Sequence, residues 1–236
     1  LGENGAGKST TMNILVGLSS ASRGKARILG RDVSEDIDGV RRLVGFVPQY
    51  DILYPRMTVG QHLQFFGWLK GLPKSQVEDD MEQQLRSLGL SHLKSVPTTE
   101  LSGGQQRKLS VLTAFLGQPD VVILDEPTSG VDPFSRRSIW ELVQSKRTDT
   151  TIILSTHFMD EADLLADRVC IISTGKEVAS GTPLSLKAMY GSGFRLTLAL
   201  RPGGGPPAVE LLTAFLRSKV PGGTVIKEQG SDLVYA

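Results

Sequence analysis

The sequence predicts an α/β fold in which a largely parallel sheet is crossed by helices, and three observations carry that expectation. Residues 121–124 (Val-Val-Ile-Leu) and 151–154 (Thr-Ile-Ile-Leu) are short continuous apolar runs, the pattern of strands buried on both faces of a parallel sheet. Helical periodicity fills the stretches between such runs, as parallel crossovers require. A glycine-rich loop at Gly2-Glu3-Asn4-Gly5-Ala6-Gly7-Lys8-Ser9-Thr10 leads directly into Ile14, Leu15 and Leu18 at helical spacing.

Taken in order, residues 25–29 and 44–47 read as short strands, the second stopped by Pro48-Gln49. Thr58 is an N-cap for a helix to about Lys70, with Leu63, Phe66 and Leu69 on one side. Pro73 starts a second helix that Gly89 closes. Ser102 caps a third, running to about Leu116. This mostly helical stretch, about residues 58–116, interrupts the sheet and suggests an inserted subdomain. Pro133 opens a helix to about Ser145, and residues 169–173 read as one more strand of the buried kind. Past residue 192 the texture changes. A strand over 194–200, a Gly/Pro loop over 201–207, an amphipathic helix with Val209, Leu212 and Leu216, a turn over 221–223, and strands over 224–227 and 233–235 suggest a small α+β domain. The expected organisation is a first domain over 1–191 and a second over 192–236.

Composition excludes several classes. With 26 Lys+Arg against 25 Asp+Glu, the net charge of +1 offers no extended basic surface, so no nucleic-acid partner is expected. One cysteine rules out an internal disulfide framework or a cysteine-cluster metal site, and Cys170 reads as a small core residue. No apolar run approaches the roughly 20 residues that cross a bilayer. Glycine is over-represented, at 26 of 236 residues where about 7% is usual.

The first nine positions account for part of that excess. Gly2 through Ser9 fits G-x-x-x-x-G-K-[ST], in which bare backbone N–H groups and a helix N-terminus surround a polyphosphate. Lys8 can reach the β- and γ-phosphates, and the Ser9 hydroxyl can bind Mg²⁺. Such a loop follows a strand, yet only Leu1 precedes it, so the chain is expected to be a piece of a longer protein. A second glycine motif, Leu101-Ser102-Gly103-Gly104-Gln105, puts a hydroxyl and two unhindered amides at a helix start; it reads either as an anion site or as an ordinary capped helix. Asp125 and Glu126 follow an apolar strand, where open α/β sheets place their ligands. A carboxylate suits the water shell of Mg²⁺, and its neighbour is placed to deprotonate an attacking water.

In this order the motifs resemble the nucleotide-binding domain of an ABC ATPase, with a P-loop NTPase core. The Walker A loop is Gly2–Ser9, the Q-loop residue Gln49, the signature Leu101–Gln105, and the Walker B strand ends at Asp125 with Glu126 following. Ser129 to Asp132 resembles the D-loop, and His157 the switch histidine. The resemblance implies ATP and Mg²⁺ as ligands, with phosphate contacts from Gly2, Asn4, Gly5, Ala6, Gly7, Lys8, Ser9, Thr10 and Gln49. It implies metal contacts from Ser9, Gln49 and Asp125, and catalysis by Glu126, His157 and Lys8. It further implies head-to-tail pairing with a second such domain, whose nucleotide would meet Leu101, Ser102, Gly103, Gly104 and Gln105 of this chain. Transmembrane domains elsewhere in the parent protein would place this domain on the cytoplasmic side of a membrane. His62 and His92 match no motif and read as structural.

Residues 131–142 and 157–168, with Gln106-Arg107-Lys108-Leu109-Ser110, are similar to the A subfamily of eukaryotic ABC transporters, the lipid exporters, in which a small α+β regulatory domain follows each cassette. Part of the second stretch is shared with ATPase subunits of bacterial drug exporters. A soluble ABC ATPase of ribosomes or chromosomes is the other alternative, although the stretch from Lys8 to Ser102 is too short for the coiled coil of chromosome-type members. A regulatory cassette that does not hydrolyse ATP is disfavoured by the presence of both Glu126 and His157.

Overall fold

The computed structural model describes residues 1–191, 196–199, 206–219, 225–229 and 232–235. Two compact units divide the chain, Leu1–Gly181 and Thr182–Ala236. The division falls before the helix Pro183–Tyr190, whereas the change of sequence texture lies after it, at 191/192.

In the first unit, α1 (Lys8–Leu15) leaves the glycine loop, and a short hairpin of β1 (Arg27–Ile28) and β2 (Arg31–Asp32) follows. The strand expected over 25–29 is cut short because Leu29 and Gly30, at φ 47° and 83°, make the turn. After α2 (Ile37–Leu43) comes the parallel sheet of β3 (Val44–Val47), β4 (Val121–Asp125) and β5 (Thr151–Ser155), with β4 in the middle. Register is in phase throughout: Val44 pairs with Val121, and Val121 with Thr151.

Every residue of β4 is buried. Its side chains alternate between two cores, as period-2 geometry dictates. Val122 and Leu124 join Leu63, Leu85, Leu109 and Ile139 from α3 (Val59–Leu69), α4 (Lys74–Ser87), α5 (Gly103–Phe115) and α6 (Pro133–Lys146). Val121 and Ile123 instead meet Met12 of α1, Val16 just past its end and Val40 of α2. The helical stretch therefore shares one core with the sheet. Truncating a fully buried residue there, Leu124→Ala for instance, costs about 2–5 kcal/mol.

Local chemistry sets the helix starts. Thr58 and Gln61 form a reciprocal capping box on α3. Inside that helix His62 is fully buried, its Nε2 accepting the Tyr54 amide at 2.7 Å, and burial pushes the imidazole below its ordinary value. His92 is exposed in the 3₁₀ turn Ser91–Leu93. Lys70, just past α3, donates to the carbonyls of Thr113, Ala114 and Leu116 at the end of α5.

Two expectations are corrected. β6 (Val169–Ser173) lies outside the parallel sheet and pairs antiparallel with β7 (Lys176–Gly181), leaving Cys170 exposed rather than in the core. Its Cys170 carbonyl accepts from the Leu1 nitrogen, and the Ile172 amide donates to the Leu1 carbonyl. β5 is an edge strand of its sheet, and Ile152, Ile153 and Leu154 are only half-buried. Continuous apolar runs cannot separate a central strand from an edge one. The second unit contains α8 (Pro183–Tyr190), α9 (Pro206–Lys219) and an antiparallel sheet in the order β8 (Leu196–Ala199), β10 (Asp232–Tyr235), β9 (Val225–Gln229). The loop over 201–205 and the turn over 221–223 lie outside the described residues. Among the described residues no helix is long and apolar enough to cross a membrane.

Candidate phosphate-binding and hydrolytic site

The glycine loop and the ends of β4 and β5 meet at one place. Gly7, at φ 101°, turns the chain into α1 in a left-handed conformation that side-chain-bearing residues avoid, and no side chain caps that helix. The first-turn amides of α1 thus lack a side-chain cap, and Asn4 and Gly5 in the loop before them are exposed. Ala6 is buried, and its carbonyl accepts from Gly175, which ties the loop to the β6–β7 turn. Ser9 is half-buried in the first turn and Thr10 exposed beside it.

Lys8 is buried and folds back under the loop. Its Nζ donates to the carbonyls of Gly2 and Glu3, at 2.8 and 3.0 Å, and pairs with Glu126 Oε1 at 3.0 Å. The other Glu126 oxygen, Oε2, lies 3.2 Å from His157 Nδ1. Lys8, Glu126 and His157, from three separate segments, therefore form one chain of contacts around a carboxylate that is 5% exposed. A buried charge of this kind needs such partners, since unpaired it would be strongly destabilising. A phosphate at the loop would compete with that carboxylate for the Lys8 ammonium.

Backbone geometry aims the carboxylate. Glu126 has φ 46°, a left-handed conformation costing about 1–2 kcal/mol in a residue with a Cβ. Its amide donates to both the carbonyl and the hydroxyl of Ser155, and the Ser155 hydroxyl donates in turn to Asp125 Oδ1. Asp125, 3% exposed, is thus oriented by a residue to which the sequence reading assigned no role. Arg107 is the larger omission. It is buried inside α5, and its guanidinium meets the backbone just beyond β4. An arginine within a helix carries no sequence sign of this, because its partners lie in two distant segments.

The remaining assigned residues sit apart from the Lys8–Glu126–His157 contact. Gln49 is exposed, immediately after Pro48 at the end of β3. Ser102 and Gln105 cap their own helix: Gln105 Oε1 accepts the Ser102 amide at 2.9 Å, and Ser102 Oγ accepts the Gln105 amide at 3.3 Å. The second glycine motif therefore carries a capping box, with Leu101 buried behind it. A Cβ on Gly103 would meet nothing, whereas one on Gly104 would fall 2.4 Å from Ser135 Oγ and 2.6 Å from Asp132 Oδ2. Asp132 caps α6 through the Phe134 and Ser135 amides, and the Ser135 bond is the main cause holding its carboxyl below the usual range. Ser129 is half-buried in the loop between, its amide donating to the Glu126 carbonyl. Next to it Thr128 donates to the fully buried Glu161 of α7 (Met159–Leu165), which also accepts from Trp140.

For Mg²⁺ the donor set is of the right kind, carboxylate, hydroxyl and amide oxygens at Asp125, Ser9 and Gln49. Among the described residues no three His, Cys, Asp or Glu converge on one point.

A glycine-loop lysine, a strand-end carboxylate pair and a parallel sheet define a P-loop nucleotide-binding α/β domain. Comparison with known proteins specifies it. The ABC transporter family pattern matches residues 1–129, and the chain belongs to that family. It is 52% identical over 198 residues to the human retinal-specific phospholipid-transporting ATPase ABCA4, covering 84% of this chain and 9% of that protein. It is 42% identical over 235 residues to human phospholipid-transporting ATPase ABCA3, covering 100% of this chain and 14% of that one. The chain thus spans only a small part of these curated relatives. Among solved structures, an ATP-binding subunit of an ABC transporter superposes with a TM-score of 0.73 at 30% identity, over 81% of this chain and 80% of that one. CbiO1 of Clostridium perfringens, part of the transporter complex cbiONQ, gives 0.71 at 30% identity, over 81% and 78%.

Proposed function

We propose that this ABC ATPase domain is the motor of a lipid transporter, hydrolysing Mg²⁺-bound ATP at the Gly2–Ser9 loop to drive movement of a phospholipid or sterol. The observation that carries the hydrolytic part is the Lys8–Glu126–His157 contact. In this reading the loop amides and Lys8 hold the β- and γ-phosphates. Glu126 takes a proton from water as its oxygen attacks the γ-phosphorus, the bond to the β-phosphate oxygen breaks, and ADP leaves with that oxygen. His157 hydrogen-bonds the γ-phosphate and steadies the water. Bound through Asp125, Ser9 and Gln49, Mg²⁺ would neutralise charge on the phosphate oxygens. The lipid substrate is supported by the phospholipid-transporting relatives at 42–52% identity.

A second ABC domain would pair head to tail with this one, its ATP facing Gly103 and Gly104 amides that this chain's own capping box leaves uncommitted. The parent protein would supply membrane-spanning domains, with this domain on the cytoplasmic side. Residues 192–236 would belong to a small regulatory-type domain following the cassette. The test is Glu126→Gln in the full-length protein: ATP binding is retained and turnover falls at least 100-fold. Hydrolysis at the parent rate would remove Glu126 from its assigned role.

A further inference from the structure

The Arg107 guanidinium makes five contacts, all within hydrogen-bond range, and Arg107 is 3% exposed. One edge reads three consecutive carbonyls: Nη2 donates to Asp125 O at 3.1 Å and Glu126 O at 3.0 Å, and Nε to Pro127 O at 2.8 Å. The other end turns to a different loop, where Nη1 donates to Pro48 O at 3.0 Å and Asp51 Oδ1 at 2.9 Å. Gln49 lies between those two anchors in sequence.

We infer that Arg107 is the positioning residue that aims Glu126 and ties its aim to the loop bearing Gln49. The reason is geometric. The Asp125 carbonyl lies in the peptide plane before the Glu126 Cα, and the Glu126 carbonyl in the plane after it. Together those planes define φ and ψ of Glu126. By gripping both, one rigid fork holds a left-handed residue in a conformation it would otherwise leave, at φ 46°. Relaxation to the right-handed region would swing the Cα–Cβ bond and carry the carboxylate away from Lys8 and His157. The same planar group is fastened to Pro48 and Asp51, so a displacement of that loop pulls on the aim of Glu126. Because Arg107 belongs to α5, the helix begun by Ser102 is fixed to the same point. Lysine cannot replace this function, since a single ammonium on a flexible stem cannot reach both loops in a plane.

The inference rests on the proposed role of Glu126 as the base, and its test separates the two. In the full-length protein, Arg107→Lys and Asp51→Ala are compared with the parent for ATP binding, KM and kcat. Arg107→Lys is expected to lower kcat at least tenfold while the Kd for ATP stays within threefold. Asp51→Ala, at a partly exposed position, leaves the grip on the three carbonyls and lowers kcat several-fold with unchanged Kd. Unchanged kcat in Arg107→Lys, or a kcat loss matched by an equal loss of ATP binding, overturns the positioning role. Should Arg107→Lys fail to fold, Asp51→Ala decides: unaltered kcat there refutes the tie to the Gln49 loop, and a selective kcat loss supports it. A parent protein without ATPase activity would overturn the motor reading and this inference with it, whereas an active parent with an indifferent Arg107→Lys overturns this inference alone.

Discussion

Two helices of this domain begin at glycine motifs, and they begin differently. α1 starts at Gly7 with a left-handed backbone and no side-chain cap, and the adjacent Lys8 supplies a cation. α5 starts at Ser102 with a closed capping box formed with Gln105. The first terminus has no side chain to satisfy its orphan donors. The second satisfies two of its own donors and holds its shape whatever lies in front of it. Glycine richness alone therefore does not say how a helix start is finished. What distinguishes the two is that α1 has no side-chain cap, whereas the α5 box takes the Ser102 and Gln105 amides and leaves those of Gly103 and Gly104.

Lys8→Ala should break the comparison most severely. Without the ammonium, α1 keeps its amides but loses its strongest phosphate contact, and ATP affinity falls at least 100-fold by equilibrium binding, with α5 unaltered. Retained affinity would mean that the loop amides suffice. Ser102→Ala acts on the other terminus. Losing the cap costs about 1 kcal/mol, which for a chain of this length lowers Tm by about 2–4 °C, while the affinity for ATP at the glycine loop is unchanged. An altered affinity would show that the two termini are coupled within one chain.

The smallest effect is expected at the far end of α5. Lys70 is exposed as a residue, but its ammonium sits against the α5 carbonyls, where loss of water outweighs the nearby Asp80 and pulls it down to about 8 from the usual 10.5. Between those values the unfolded chain binds more protons, so this group's contribution to stability rises with pH from about 8 to 10.5 and is flat below. Relative to Lys70→Met, the parent should gain only a few tenths of a kcal/mol across that window, since solvent screens an exposed side chain, read from denaturation midpoints. Parallel pH curves for the two proteins would contradict it.

Elements whose signals are local were legible in the sequence. The capping residues Thr58 and Ser102, the helix-opening Pro133, the closing Gly89 and the central strand at 121–125 stand where their chemistry puts them. Strand environment was not legible. Residues 151–155 and 169–173 look as apolar as 121–125, yet one is an edge and the other pairs antiparallel, because neighbours are chosen by segments far away in sequence. The same distinction divides the candidate site. Lys8, Asp125, Glu126 and His157 belong to motifs whose spacing is itself the signal. Arg107 and Ser155 act through contacts 18 to 59 positions away and carry no local mark.

Trp140 deserves a practical reading. Its indole N–H bonds Glu161 at 2.8 Å, in the first turn of α7, and the loop entering that helix carries His157. The sequence's only other tryptophan, Trp68, is 55% exposed on α3, open to an aqueous quencher. With Trp68 silenced by iodide, the remaining fluorescence reports on the α6–α7 junction. Any motion of the histidine loop that breaks the indole bond changes the emission colour, so the domain contains its own unlabelled optical gauge of that movement.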